Sequence, residues 1–169
     1  MQMKKTLMIL LSLTVLAGCV ATPALAVPSS EVIKANCRAV QSVLNQMEKA
    51  DAALRINRGR VYNELLNLFY AMNTRLLSNK ISLPNLVSLT SEFESVLGEF
   101  RTNYNSYDDA LGDLVGVRCQ EEPIAFYDKL VKVRDERAKL NGNIKRLDQL
   151  VELYGDEFNT NAKAQINAR

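Results

Sequence analysis

The chain has 169 residues, 47% of them hydrophobic and 24% charged, with 21 basic and 19 acidic side chains and no histidine. Its length admits one domain plus a targeting segment. A chain without histidine cannot carry a Ser-His-Asp arrangement, a His-ligated zinc or haem, or the Glu-x-x-His di-iron sites of helical bundles.

The first element is a signal segment, residues 1–26. Lys4 and Lys5 form a positive n-region, and Leu7 to Leu16 is an apolar run followed by small residues. It is too short to remain in a bilayer as a spanning helix. Two cleavage signals compete. Leu16-Ala17-Gly18-Cys19 resembles the bacterial lipobox, which places a lipid on Cys19. Ala24-Leu25-Ala26 fits an ordinary A-x-A site. The lipobox is preferred, because A-x-A is common in alanine-rich sequence and L-A-G-C at the end of an apolar run is not.

Removing Lys4 and Lys5 leaves 19 basic against 19 acidic residues, since no acidic residue precedes Glu31. A neutral mature chain lacks the basic excess that gripping nucleic acid or an anionic membrane surface requires. Membrane association is therefore expected only through the lipid anchor. Export also makes Cys37 and Cys119, the pair left after Cys19, candidates for a disulfide. The alternatives are two free thiols or an intermolecular bridge.

Helix one is expected over residues 30–79. Ser29 or Ser30 can cap it, and Glu31 faces the dipole. Its heptad seam reads Ile33, Val40, Met47, Leu54, Val61, Leu68 and Arg75, interleaved with Cys37, Leu44, Asp51, Arg58, Leu65 and Met72. Such a sustained heptad marks a helix packed lengthwise on others. Gly59 falls inside it and signals a kink, a close backbone approach or mere tolerance. Ser82 is expected to cap helix two, residues 83–117, with Pro84 in its first turn. The helix-two seam is Leu86, Phe93, Phe100, Tyr107 and Leu114, with Asn103 as a polar interruption. Pro123 opens helix three, residues 122–158, along Phe126, Val133, Leu140, Leu147 and Tyr154, interrupted by Arg137. Asn141-Gly142-Asn143 reads as a weak point. Residues 161–169 lack an apolar period and are expected to be disordered. No strand pattern competes, so the expected fold is all-α: an elongated, antiparallel, up-down-up three-helix bundle.

Short turns fix the register and thereby the partners. Cys37 falls near Cys119. Asp51 falls near Asn103 and Arg137, with Arg134 a second candidate, and Arg58 falls near Glu99. These residues are expected to form a structural polar layer that pins helix order. The competing reading is a binding spot for an anionic ligand at Arg55, Arg58 and Arg60, and Arg55 and Arg60 are its possible surface contacts. Asp108-Asp109 with Asp113 lacks the spacing of a calcium loop. No cofactor, metal or catalytic residue is expected.

The runs Cys37-Arg-Ala-Val-Gln41, Asp51, Arg55-Ile-Asn-Arg58-Gly59-Arg60-Val-Tyr62, then Cys119, Pro123-Ile-Ala-Phe126-Tyr127 and Arg134 resemble uncharacterised secreted helical proteins of small-genome candidate-phylum bacteria. The resemblance implies an exported bundle with a Cys37–Cys119 bond; it brings no known activity and transfers no functional residue. The functional expectation is a non-enzymatic, exported, lipid-anchored protein of the cell envelope, binding other envelope or surface proteins. The alternative is a periplasmic or surface holdase, and a remoter one is a small envelope hydrolase.

Overall fold

A computed structural model describes residues 28–167; the expected signal segment, residues 1–26, and Cys19 lie outside them. Three long helices follow one another: α1 (Ser30–Ser78), α2 (Pro84–Val115) and α3 (Pro123–Glu157). Contacts along their length set the antiparallel register. Cys37 meets Cys119, Tyr62 meets Phe100, and Phe69 meets Phe93. The fold is the all-α antiparallel bundle that the heptads require. No helix among the described residues is long and apolar enough to cross a membrane.

The turns follow from local chemistry. Lys80 takes a left-handed φ of 56°. That lets the Ile81 amide bond the Leu76 carbonyl at 2.9 Å and the Lys80 amide bond Leu77 at 2.8 Å, the Schellman closure of a helix end. Buried Ile81 then covers Leu76. The cap of α2 falls on Leu83 rather than on Ser82, and no side chain caps it. Pro84 and Pro123 each occupy the first turn of a helix, where a missing N–H costs nothing. At the start of α1, Ser29 holds the cap position through its carbonyl, which accepts the Ile33 amide at 3.1 Å; its hydroxyl takes no part.

The expected seams of α2 and α3 are buried as written. Leu86, Phe93, Phe100, Tyr107 and Leu114 are each at most 3% exposed. Helix α1 departs from its seam. Ile33, Cys37 and Leu44 are buried on it, but farther along the buried row is Tyr62, Leu66, Phe69, Asn73 and Leu76. Every member of that row stands one residue beyond the heptad position. Leu54, Val61 and Leu68 are left 52%, 44% and 50% exposed. The cause is geometric. A straight α-helix drifts about 20° per heptad against a strict seven-residue repeat, so four to five heptads accumulate about one residue.

Between Leu44 and Tyr62 no residue of α1 is fully buried. The middle of α1 lies over α2 and α3 rather than between them. Gly59 sits in this stretch, and a Cβ there would meet nothing within 4 Å. No other backbone approaches it, and α1 runs through Gly59 as one helix from Ser30 to Ser78. The Asn141-Gly142-Asn143 stretch does not interrupt α3, because buried Asn143 is held from α2. The chain beyond Glu157 continues as helix, and residues 161–167 thereby differ from the disorder expected from residue 161 onward. It makes one π turn (Phe158–Ala162), burying Ala162 completely, and one further α-helical turn, α4 (Lys163–Asn167).

Candidate functional site

The N-terminal end of α1 is fastened to the α2–α3 turn at several points. Cys37 and Cys119 form a disulfide with Cα atoms 5.7 Å apart, both almost fully buried. The Gln41 amide donates to the Val117 carbonyl at 3.2 Å, and Gln120 donates to the Lys34 carbonyl at 2.8 Å.

Above this clasp the polar seam residues are sorted into two layers rather than one. In the first, Asp51 accepts a 2.5 Å hydrogen bond from the Tyr107 hydroxyl, and Arg137 approaches the same oxygen at 3.5 Å. Arg137, and not Arg134, takes the place beside Asp51. Burial, with the neighbouring Asp51 carboxylate, pushes the Tyr107 hydroxyl well above its ordinary range and keeps it a donor. Asn103 does not join Asp51. It donates to Asn143 of α3 at 2.6 Å, and Asn143 donates to Glu99 at 3.1 Å, forming the second layer. The expected Arg58–Glu99 contact is therefore replaced: Glu99 serves Asn143. Arg58 interacts with Tyr62, whose hydroxyl donates to Asp148 at 3.0 Å.

A third layer was not expected. Asn73 donates to Thr90 at 2.8 Å and accepts from the Tyr154 hydroxyl at 2.9 Å. Thr90 in turn donates to the Leu86 carbonyl at 2.8 Å. All three side chains are at most 8% exposed, and Tyr154 stacks on Phe69 at 3.9 Å between ring centres. Burial pushes the Tyr154 hydroxyl up to about 12. Asn73 escapes a heptad reading because it belongs to the drifted row.

The suspended middle of α1 leaves a cleft of about 130 Å³ against α2 and α3. Arg55, Arg58 and Arg137 line it, with Asp51 as its one carboxylate. Leu54, Leu140 and Ile144 supply apolar wall. The Arg55 guanidinium lies over the Tyr104 ring, 4.6 Å from its centre, and meets Asp108 at 3.8 Å. Tyr104 also lines the cleft; it is 3% exposed, and its hydroxyl has no hydrogen-bond partner among the described residues. Burial, then the nearby Asp108, pushes that hydroxyl up, while Arg55 opposes the shift. Arg60 is not part of this group: it turns outward and pairs with Glu64 at 3.0 Å. Asp113 is likewise occupied by Lys129 at 3.5 Å.

Fold and clasp together define an elongated three-helix bundle closed by one disulfide. No family model matches this chain, and no curated protein or solved structure matches it significantly.

Proposed function

We propose that this is an exported cell-envelope protein, anchored by a lipid on Cys19, that binds another envelope or surface protein along α1 and performs no catalysis itself. The observation that carries the reading is the row Leu54, Val61 and Leu68. It is spaced by sevens and half exposed on a helix whose start is covalently fixed. A heptad row of this kind suits a partner helix laid alongside it. The disulfide fits an oxidising compartment.

The test is a photo-crosslinking side chain at Val61 in intact cells, with a second at exposed Lys132 on α3. One discrete adduct at Val61 and none at Lys132 is the expected result. Equal labelling at both sites, or none at either, removes the proposal. Intact mass of the exported chain tests the anchor, which fails if the mature chain starts at Val27.

The same row, with Ile56 at 67% exposure, also suits a holdase. That reading requires the purified protein to suppress aggregation of unrelated denatured proteins at near-stoichiometric ratio, an effect that a specific adaptor does not produce.

A further inference from the structure

The cleft under the middle of α1 combines three features with different causes. Its lining holds three guanidinium groups against one carboxylate in a mature chain that is neutral as a whole. Asp51 is already served by Tyr107 and Arg137, so its charge is largely offset. Arg58 forms no ion pair with a carboxylate among the described residues, and it acts on the Tyr62 hydroxyl beside the cleft. The second feature is apolar wall from Leu54, Leu140 and Ile144 beside those charges. The third is Tyr104, buried to 97% with an unpartnered hydroxyl next to Arg55. Buried hydroxyls are normally hydrogen-bonded, and an orphan one requires an explanation.

We propose that this cleft binds a small monocarboxylic acid with an aromatic or branched apolar body. Arg58 and Arg137 grip the carboxylate. Arg55, half exposed on its loose 3.8 Å pair with Asp108, swings from the tyrosine ring toward the anion and uncovers the Tyr104 hydroxyl as a further donor. The apolar body rests on Leu54, Leu140 and Ile144. Guanidinium groups match a carboxylate through two parallel N–H bonds, which a neutral amide cannot reproduce. The volume of about 130 Å³ limits the body to a single ring or short branched chain.

The probe is sodium benzoate, with benzamide as its uncharged counterpart, followed by amide and side-chain NMR shifts of the full mature chain. Benzoate is expected to give saturable shifts at Arg55, Arg58 and Tyr104, with Kd in the millimolar range; benzamide is expected to bind at least tenfold more weakly. Arg58→Gln, an exposed substitution that leaves the fold intact, should weaken benzoate at least tenfold. Tyr104→Phe should weaken it several-fold while raising Tm, because the variant deletes an orphan hydroxyl from the unliganded protein. Equal binding of benzoate and benzamide, no saturable shift, or full affinity in Arg58→Gln would each overturn the proposal. So would unchanged affinity in Tyr104→Phe. None of these results bears on whether a protein partner docks on α1, which the crosslinking at Val61 reads separately.

Discussion

The Tyr107 hydroxyl donates to Oδ2 of Asp51 across 2.5 Å, joining α1 to α2 where α1 has no fully buried side chain. The carboxylate is 13% exposed and its other partner, Arg137, is 44% exposed. The arrangement is thus a half-wet bridge around one buried hydroxyl. Asp51→Ala strands Tyr107, which is 1% exposed, and should cost about 1–3 kcal/mol. Tyr107→Phe removes the donor and should cost about 1 kcal/mol or less. Urea unfolding of the two variants checks both the sign and the order; wild-type stability in Asp51→Ala would show that this contact pins nothing.

The disulfide spans 82 residues of sequence. In the chain-entropy account a loop of that length stabilises by about 4.5 kcal/mol. Cys37→Ser with Cys119→Ser should lower stability by roughly that amount, and hydrogen exchange should rise first over residues 30–44. Exchange there equal to wild type would mean that Gln41 and Gln120 hold the end unaided.

Two backbone changes should stabilise. Gly59 is inside α1 with open space where a Cβ would stand, so Gly59→Ala should gain about 1 kcal/mol. Lys80 pays the left-handed penalty at φ 56°, so Lys80→Gly should gain up to about 1 kcal/mol. Each should raise Tm by roughly 2–4 °C for a chain of this size, which calorimetry reads directly.

Tyr154 contributes to the alkaline behaviour, beside Tyr62, Tyr70, Tyr104 and Tyr107, whose hydroxyls are raised as well. Its folded pKa is raised to about 12 from an ordinary 10. The unfolded chain therefore loses this proton first as pH rises. Its contribution is complete below pH 10 and is lost progressively from pH 10 through 12, by up to about 2 kcal/mol. Tyr154→Phe should flatten that part of the stability profile. An equally steep decline in the variant would assign the loss to other tyrosines.

The bundle, its two turns and the cysteine pairing were legible because each rests on a local signal: heptads, a proline opening each later helix, and a short turn that fixes register. The polar contacts were less so. Asp51 with Arg137 follows from register alone. The pairing of Asn103 with Asn143 depends on which face of α3 turns inward, and a seven-residue template places Asn143 off the seam. The network of Asn73, Thr90 and Tyr154 and the cleft at Tyr104 share one cause. Both depend on the slow rotation of α1's buried row, which no window of two or three heptads reveals. Counting α1 at 3.6 residues per turn from Ile33 would have placed Tyr62, Phe69 and Asn73 inside.

The Cys37–Cys119 bond also changes the covalent topology of the molecule. It converts residues 37–119, most of α1 and all of α2, into a closed ring from which α3 extends as a branch. A single peptide cleavage anywhere inside that ring opens it without releasing a fragment. In a compartment rich in proteases, a nick in the lightly covered middle of α1 would leave both halves tethered and free to re-pair. Only a second cut, or a reductant, would take the molecule apart.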